Sequence, residues 1–84
     1  MATYTLMNAP LIMPARFYFH LVRGHERIVD RAGLELRREV VMSDAVMEKV
    51  KERWPGTNDI DDWEGWSVEI VDSLGRVVRS IALI

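Results

Sequence analysis

The sequence predicts an α+β domain of order ββαββ, in which two hairpins form an antiparallel sheet and one amphipathic helix packs on one face. Three observations support this. An apolar run ending in Asp-x-x-Gly occurs twice, at 27–33 and 69–75. An aromatic, alternating segment precedes the first copy. The segment between the copies, 37–54, lacks Gly and Pro and is rich in helix formers. The Asp side chain and the Gly at positive φ suit a turn, so each copy indicates a strand entering a turn.

The first hairpin begins with a strand at 16–22. Its alternation places one set of side chains on each face, Phe17, Phe19 and Leu21 against Tyr18, His20 and Val22. A two-residue turn at Arg23-Gly24 would set His25 opposite Val22 and Ile28 opposite Phe19.

The helix is predicted from an apolar stripe surrounded by charged residues. The stripe consists of Val40, Met47, Val50 and Trp54. Two starts fit the pattern, one near Arg38 and one capped by Ser43. The helix should end before Pro55, because the residue preceding a proline is disfavoured in helical geometry.

The second hairpin is predicted to begin at Trp66 and to turn at Ser73-Leu74-Gly75. This register pairs Asp72 with Arg76, Ile70 with Val78 and Glu69 with Arg79. It places Trp66, Val68, Ile70, Val78 and Ala82 on one face and Val71, Val77, Ile81 and Leu83 on the other. One helix covers only one face, so the second apolar set is a predicted interface and the chain a predicted homodimer.

Composition narrows the functional class. The 84 residues suit one domain, and the net charge of −2 comes from mixed charges, which argues against a field that attracts nucleic acid or membrane. The absence of cysteine excludes disulfides, thiolate zinc sites and thiol nucleophiles, and favours a reducing, cytoplasmic location. Residues 1–15 are mostly apolar, but they are too short for a membrane span and lack the basic region of a signal peptide.

Two groups of residues suggest metal binding, and neither is complete. His20 and His25 would lie diagonally on one hairpin face, but further ligands would have to come from Asp or Glu. In the acidic loop 55–65, Trp63 occupies the fifth position counted from Asp59 and the twelfth holds no glutamate, so an EF-hand does not fit. We predict no metal, no cofactor and no catalytic residue.

Three tryptophans lie within thirteen residues, and such clusters can anchor a partner. Trp54 and Trp66 are explained as core residues that hold the helix to the sheet. Trp63 is therefore the candidate for partner contact. The surrounding carboxylates would repel a phosphate backbone, which argues against nucleic acid.

Four features of the chain occur together: the strand 16–21, the Gly24 turn, Asp30-x-x-Gly33-x-Glu35-Leu36 and Trp66-x-x-Glu69-x-x-Asp72-x-x-Gly75-Arg76-Val77. In this combination the chain resembles a small alphaproteobacterial family known only as a domain of unknown function. The likeness covers about residues 13–84 and implies no catalytic residue. Members of that family usually start near the aromatic strand. Residues 1–12 are therefore expected to be a disordered extension unless they dock on the exposed sheet face, and 13–84 the single domain.

The leading functional hypothesis is a non-enzymatic protein-interaction domain that forms a homodimer. The alternative is an antitoxin-like regulatory module that masks a toxin or binds an operator, and its support is limited to size and topology. A small-molecule binder or enzyme that uses His20, His25 and the tryptophans ranks last.

Overall fold

A computed structural model describes residues 14–55 and 63–83, and the α+β class is confirmed there. The elements are β1 Ala15–Arg23, β2 Glu26–Ile28, β3 Leu34–Leu36, α1 Arg38–Val41, α2 Val46–Arg53, β4 Ser67–Val71 and β5 Val77–Ala82. All strand pairs are antiparallel, and the order is β2-β1-β4-β5, with β3 paired to the start of β1. The expectation for residues 1–12 lies outside the described residues.

The core lies between the two helices and one face of the sheet. That face carries the predicted set Phe17, Phe19 and Leu21, each at most 1% exposed. The helices, the strands β3 and β4 and the residue before β4 contribute the other members of the core cluster, Leu36, Val41, Val46, Val50, Trp66, Val68 and Ile70. Among the described residues, no helix is long and apolar enough to cross a membrane.

The turn of the first hairpin is displaced by one residue from the prediction. Gly24 and His25 are the central residues, and the register pairs Val22 with Arg27 and Leu21 with Ile28. Gly24 has φ +57°, as the first central position of a type II′ turn requires. An arginine at that position would be strained, which explains why the predicted Arg23-Gly24 turn is wrong.

The predicted single helix is divided into α1 and α2. The Ser43 hydroxyl donates to the carbonyl of Val40 at 2.9 Å and accepts the amide of Ala45 at 3.2 Å. These bonds compete with the helical ladder and favour a break. Each proposed start is partly correct: a short helix begins at Arg38, but the main helix begins after Ser43 with Ala45 as its N-cap residue.

A register shift in the second hairpin changes the predicted faces. Asp72 faces Arg76 as expected, but a bulge intervenes and Ile70 pairs with Arg79 instead of Val78. One extra residue moves every following side chain to the opposite face. Ile81 and Leu83 therefore pack against the core, and Ala82, which was expected there, is exposed.

The predicted cross-strand pairing of Glu69 with Arg79 is also wrong, because Glu69 pairs with Ser80. The Glu69 side chain forms an ion pair with Arg27 at 3.0 Å, and the Arg79 guanidinium donates to the carbonyls of Val41 and Ser43, each at 2.7 Å. Arg79 thus joins β5 to the break between the two helices. It donates to the Val41 carbonyl at the end of α1, and it adds a second donor to the Ser43 carbonyl, which also accepts the Val46 amide.

Candidate functional site

The two Asp-x-x-Gly turns lie at the same end of the sheet and flank a groove on the face opposite the helices. We call this side, defined by Tyr18, His20, Glu69 and Val71, the open face. The turn at Asp30 connects β2 to β3, and the turn at Asp72 connects β4 to β5. Tyr18 pairs with Val71, so β1 and β4 form the floor between the turns.

Asp30 closes a gap in the sheet edge. β2 pairs with the end of β1 and β3 with its start, which leaves the backbone of Phe19 without a strand partner on that side. One carboxylate oxygen of Asp30 accepts the Phe19 amide at 3.0 Å. The indole Nε1 of Trp54 donates to the Phe19 carbonyl at 2.6 Å. Side chains therefore take the place of a neighbouring strand, as buried backbone groups require.

The other carboxylate oxygen of Asp30 accepts three donors. They are the amides of Ala32 and Gly33, at 3.1 and 3.0 Å, and the Arg53 Nε at 2.6 Å. Burial raises the pKa of Asp30, but the hydrogen bonds from Gly33, Phe19, Arg53 and Ala32 outweigh it, so the pKa lies below its ordinary value. The carboxylate stays charged and holds the turn, β1 and α2 together.

His20 extends this network onto the open face. Its Nδ1 accepts the Asp30 amide at 3.0 Å, so that nitrogen carries no proton. Burial, aided by the charge of Arg27, lowers the pKa of His20 below its ordinary value, although Asp30 and Glu69 act in the opposite direction. The imidazole is therefore neutral at physiological pH.

The Asp72 turn uses mostly local contacts. The amides of Leu74 and Arg76 donate to one carboxylate oxygen, both at 2.9 Å, and the Arg76 Nε donates to the other at 2.9 Å. The Arg76 amide is the main cause of a lowered pKa for Asp72; slight burial opposes it, and the Arg76 side chain and the Leu74 amide add to it.

The groove between the turns has a volume of about 380 Å³. It is lined on one side by Tyr18, His20, Val29, Asp30 and Arg31 and on the other by Val71, Asp72, Ser73 and Gly75. The acceptor atoms of the two aspartates and Nδ1 of His20 are occupied by the protein itself. The surface that remains for contact with another molecule is therefore a mixture of apolar side chains, such as Val29, and other polar side chains, such as Arg31 and Ser73.

The four predicted interface residues are not brought together. Val71 is buried beside the groove at 5% exposure and Val77 is 54% exposed, whereas Ile81 and Leu83 pack on the helix side. Whether any of them contacts a partner remains a prediction.

Trp63 packs against Trp66 edge to face with ring centroids 5.6 Å apart, and it is partly buried against the core. Trp54 and Trp66 lie where the sequence placed them, between helix and sheet. Partner contact by Trp63 remains a prediction.

The histidine pair is not formed. His25 lies in the hairpin turn, while His20 bonds to Asp30, so the predicted diagonal contact is wrong. Within 14–55 and 63–83, no group of three metal-ligating side chains is present. Most carboxylates of the proposed calcium loop, including Asp59, lie outside those ranges.

Sequence reasoning assigned Asp30 only a turn. It missed the tertiary partners of that residue, Arg53 and the Phe19 amide, and the bond from Trp54 to the Phe19 carbonyl. The available signal was the repeated Asp-x-x-Gly pattern, but the repeat does not distinguish a buried aspartate from a local one.

Comparison with known proteins gives one match. Residues 16–84 match the model of a family described as a domain of unknown function, DUF6894. No curated protein and no solved structure matches the chain significantly.

Proposed function

We propose that this chain, which belongs to the DUF6894 family of domains of unknown function, is a non-enzymatic protein-interaction domain that works as a homodimer. In the described residues, the helices cover one side of the sheet and leave its other side and the outer edge of β5 available to a second copy. The observation that carries the proposal is this one-sided cover.

The core residues of α1 and α2, Val41, Val46 and Val50, all pack on the Phe19 side of the sheet. On the other side, no helix or strand of the described ranges lies over the groove. Val77 and Leu74 next to the groove are 54% and 74% exposed. An apolar surface of this kind is typical of contact with another protein.

The polar groups at the groove support binding over catalysis. The Asp30 carboxylate accepts four hydrogen bonds from its own chain, and Arg53 neutralises its charge. A general base needs a lone pair that can reach a substrate proton. The acceptors of Asp30, and Nδ1 of His20, are instead used to hold the fold together.

A second copy is the partner that size and charge favour. A domain of 84 residues without disulfides gains stability from oligomerisation. The net charge of −2 gives only weak repulsion between two copies.

Sedimentation velocity of the full chain, from low to high micromolar concentration, tests the proposal. We expect a reversible monomer–dimer equilibrium. A strict monomer throughout that range would contradict the homodimer.

A further inference from the structure

We infer that the second copy pairs with the outer edge of β5, strand against strand and antiparallel, around a two-fold axis at Ile81. This rests on the proposed homodimer and specifies how it is built. The dimer would then contain one continuous sheet that crosses the subunit boundary.

The direction of the backbone groups in β5 follows from the ladder. The amide and carbonyl of Phe19 point away from β4, toward Asp30 and Trp54. Phe19 faces Ile70, so the backbone of Ile70 points toward β5 and bonds Arg79. Because the direction of the backbone groups alternates along a strand, the amide and carbonyl of Ile81 also point toward β4. The Leu83 amide, two residues further on, points the same way and donates to the Trp66 carbonyl at 3.0 Å. The amides and carbonyls of Ser80 and Ala82 therefore point outward.

The two edges of the sheet differ in how they are protected. At the β2/β3 edge, short charged strands are interrupted by the Asp30 turn, and side chains cap the backbone of Phe19. Along β5, within residues 14–55 and 63–83, β4 is the only paired strand. After the bulge, β5 has no proline or lysine, which are the residues that commonly block an edge from pairing.

The edge is also a better contact than the open face. The ion pair of Arg27 and Glu69 and the imidazole of His20 lie across the open face, and a second copy there would desolvate them. The one charged side chain in β5, Arg79, is already bonded to Val41 and Ser43. Pairing at the edge therefore requires no desolvation of a further charge.

The axis at Ile81 gives a register without like-charge contacts. Ser80 pairs with the partner's Ala82 through hydrogen bonds, and Ile81 faces the partner's Ile81 in a position without hydrogen bonds. Arg79 lies opposite the partner's Leu83 and away from the partner's Arg79. Two predicted interface residues, Ile81 and Leu83, thus reach the interface from the core side.

Proline at an outward-facing position tests this geometry. Ala82→Pro removes one outward amide and leaves the bonds from β5 to β4 in place. The matched control, Ala82→Val, keeps that amide. We expect Ala82→Pro to raise the dimer Kd about tenfold or more in sedimentation velocity, and Ala82→Val to leave it nearly unchanged. Ser80→Pro provides the second variant if Ala82→Pro does not fold, as judged by circular dichroism.

An independent readout is an isotope-filtered NOE experiment on a mixture of labelled and unlabelled wild-type chain. We expect an intermolecular contact between the two Hα atoms of Ile81. A wild-type dimer that tolerates both proline variants and lacks this contact would overturn the edge pairing but leave the homodimer standing. A monomeric wild type would overturn both.

Discussion

The Asp30 and Asp72 turns share a sequence pattern but differ in what they hold. In both, the aspartate carboxylate accepts backbone amides two to four residues further along, which closes the turn. Besides these amides, the Asp72 carboxylate accepts only the side chain of Arg76, four residues away. Asp30 adds the amide of Phe19 on β1 and the guanidinium of Arg53 on α2. The same local motif thus serves once as a turn and once as a junction between three elements.

The largest expected effect is a loss of stability when Asp30 is replaced, and it should distinguish Asp30 from Asp72. Asp30→Ala leaves the Phe19 amide and the Arg53 charge without their acceptor, which we expect to cost about 3–5 kcal/mol. That is comparable to the whole stability of a small domain, so cooperative unfolding should be severely weakened or lost. Thermal unfolding followed by circular dichroism measures this.

Asp72→Ala is the matched control, and we expect a clearly smaller fall in Tm, because its partners lie within its own exposed turn. Equal losses of stability in the two variants would show that the buried junction at Asp30 adds nothing to the local turn.

The two glycines of the turns give the next largest difference. Gly33 and Gly75 both have positive φ, 66° and 82°, so alanine at either position should cost about 1–2 kcal/mol. A Cβ at Gly33 would also lie 2.7 Å from the Phe17 carbonyl oxygen and 2.9 Å from the Tyr18 ring, whereas at Gly75 nothing lies within 4 Å. Overpacking adds about 1–3 kcal/mol.

Urea unfolding should therefore rank Gly33→Ala below Gly75→Ala in stability. Indistinguishable midpoints would argue that the Asp30 turn is not packed against β1 as described.

The smallest expected effect is the pH dependence that comes from His20, which bonds the Asp30 turn and has no counterpart at the Asp72 turn in the described residues. The pKa of His20 is lower in the folded protein than in the unfolded chain, where it is about 6.5. The unfolded chain therefore binds the proton first as the pH falls. The stabilisation is complete above about pH 6.5 and is lost as the pH falls through the pKa of the folded state.

Unfolding free energies measured between about pH 8 and pH 5 should fall in the wild type. His20→Asn offers an amide oxygen to the Asp30 amide but does not titrate, so this decline should be reduced. An NMR titration that gives His20 a raised pKa would contradict the prediction.

The candidate site was partly accessible from the sequence. The motif located both turns, and the alternation of β1 placed Tyr18 and His20 on one face, because turn chemistry and strand period depend on neighbouring residues only. The roles of Arg53 and Trp54 were not accessible. Each reaches a β1 or turn residue more than twenty positions away, and no local pattern encodes such a contact.

The predicted faces of β5 were wrong for a similarly specific reason. A strict alternation through β5 assigned Ile81 and Leu83 to the open face, and a single bulge residue placed them on the other side. Composition does not reveal a bulge, because its position is selected by the packing of the neighbouring strand.

The sequence by itself determined the α+β class, the core face of β1, the break at Pro55 and the two aspartate turns, since all of these follow from periodicity and local backbone preference. Tertiary structure alone decided the register of both hairpins, the division of the helix at Ser43 and the burial of Asp30. Those features depend on where distant hydrogen-bond donors and apolar surfaces meet. Such contacts between distant residues form only when the chain folds.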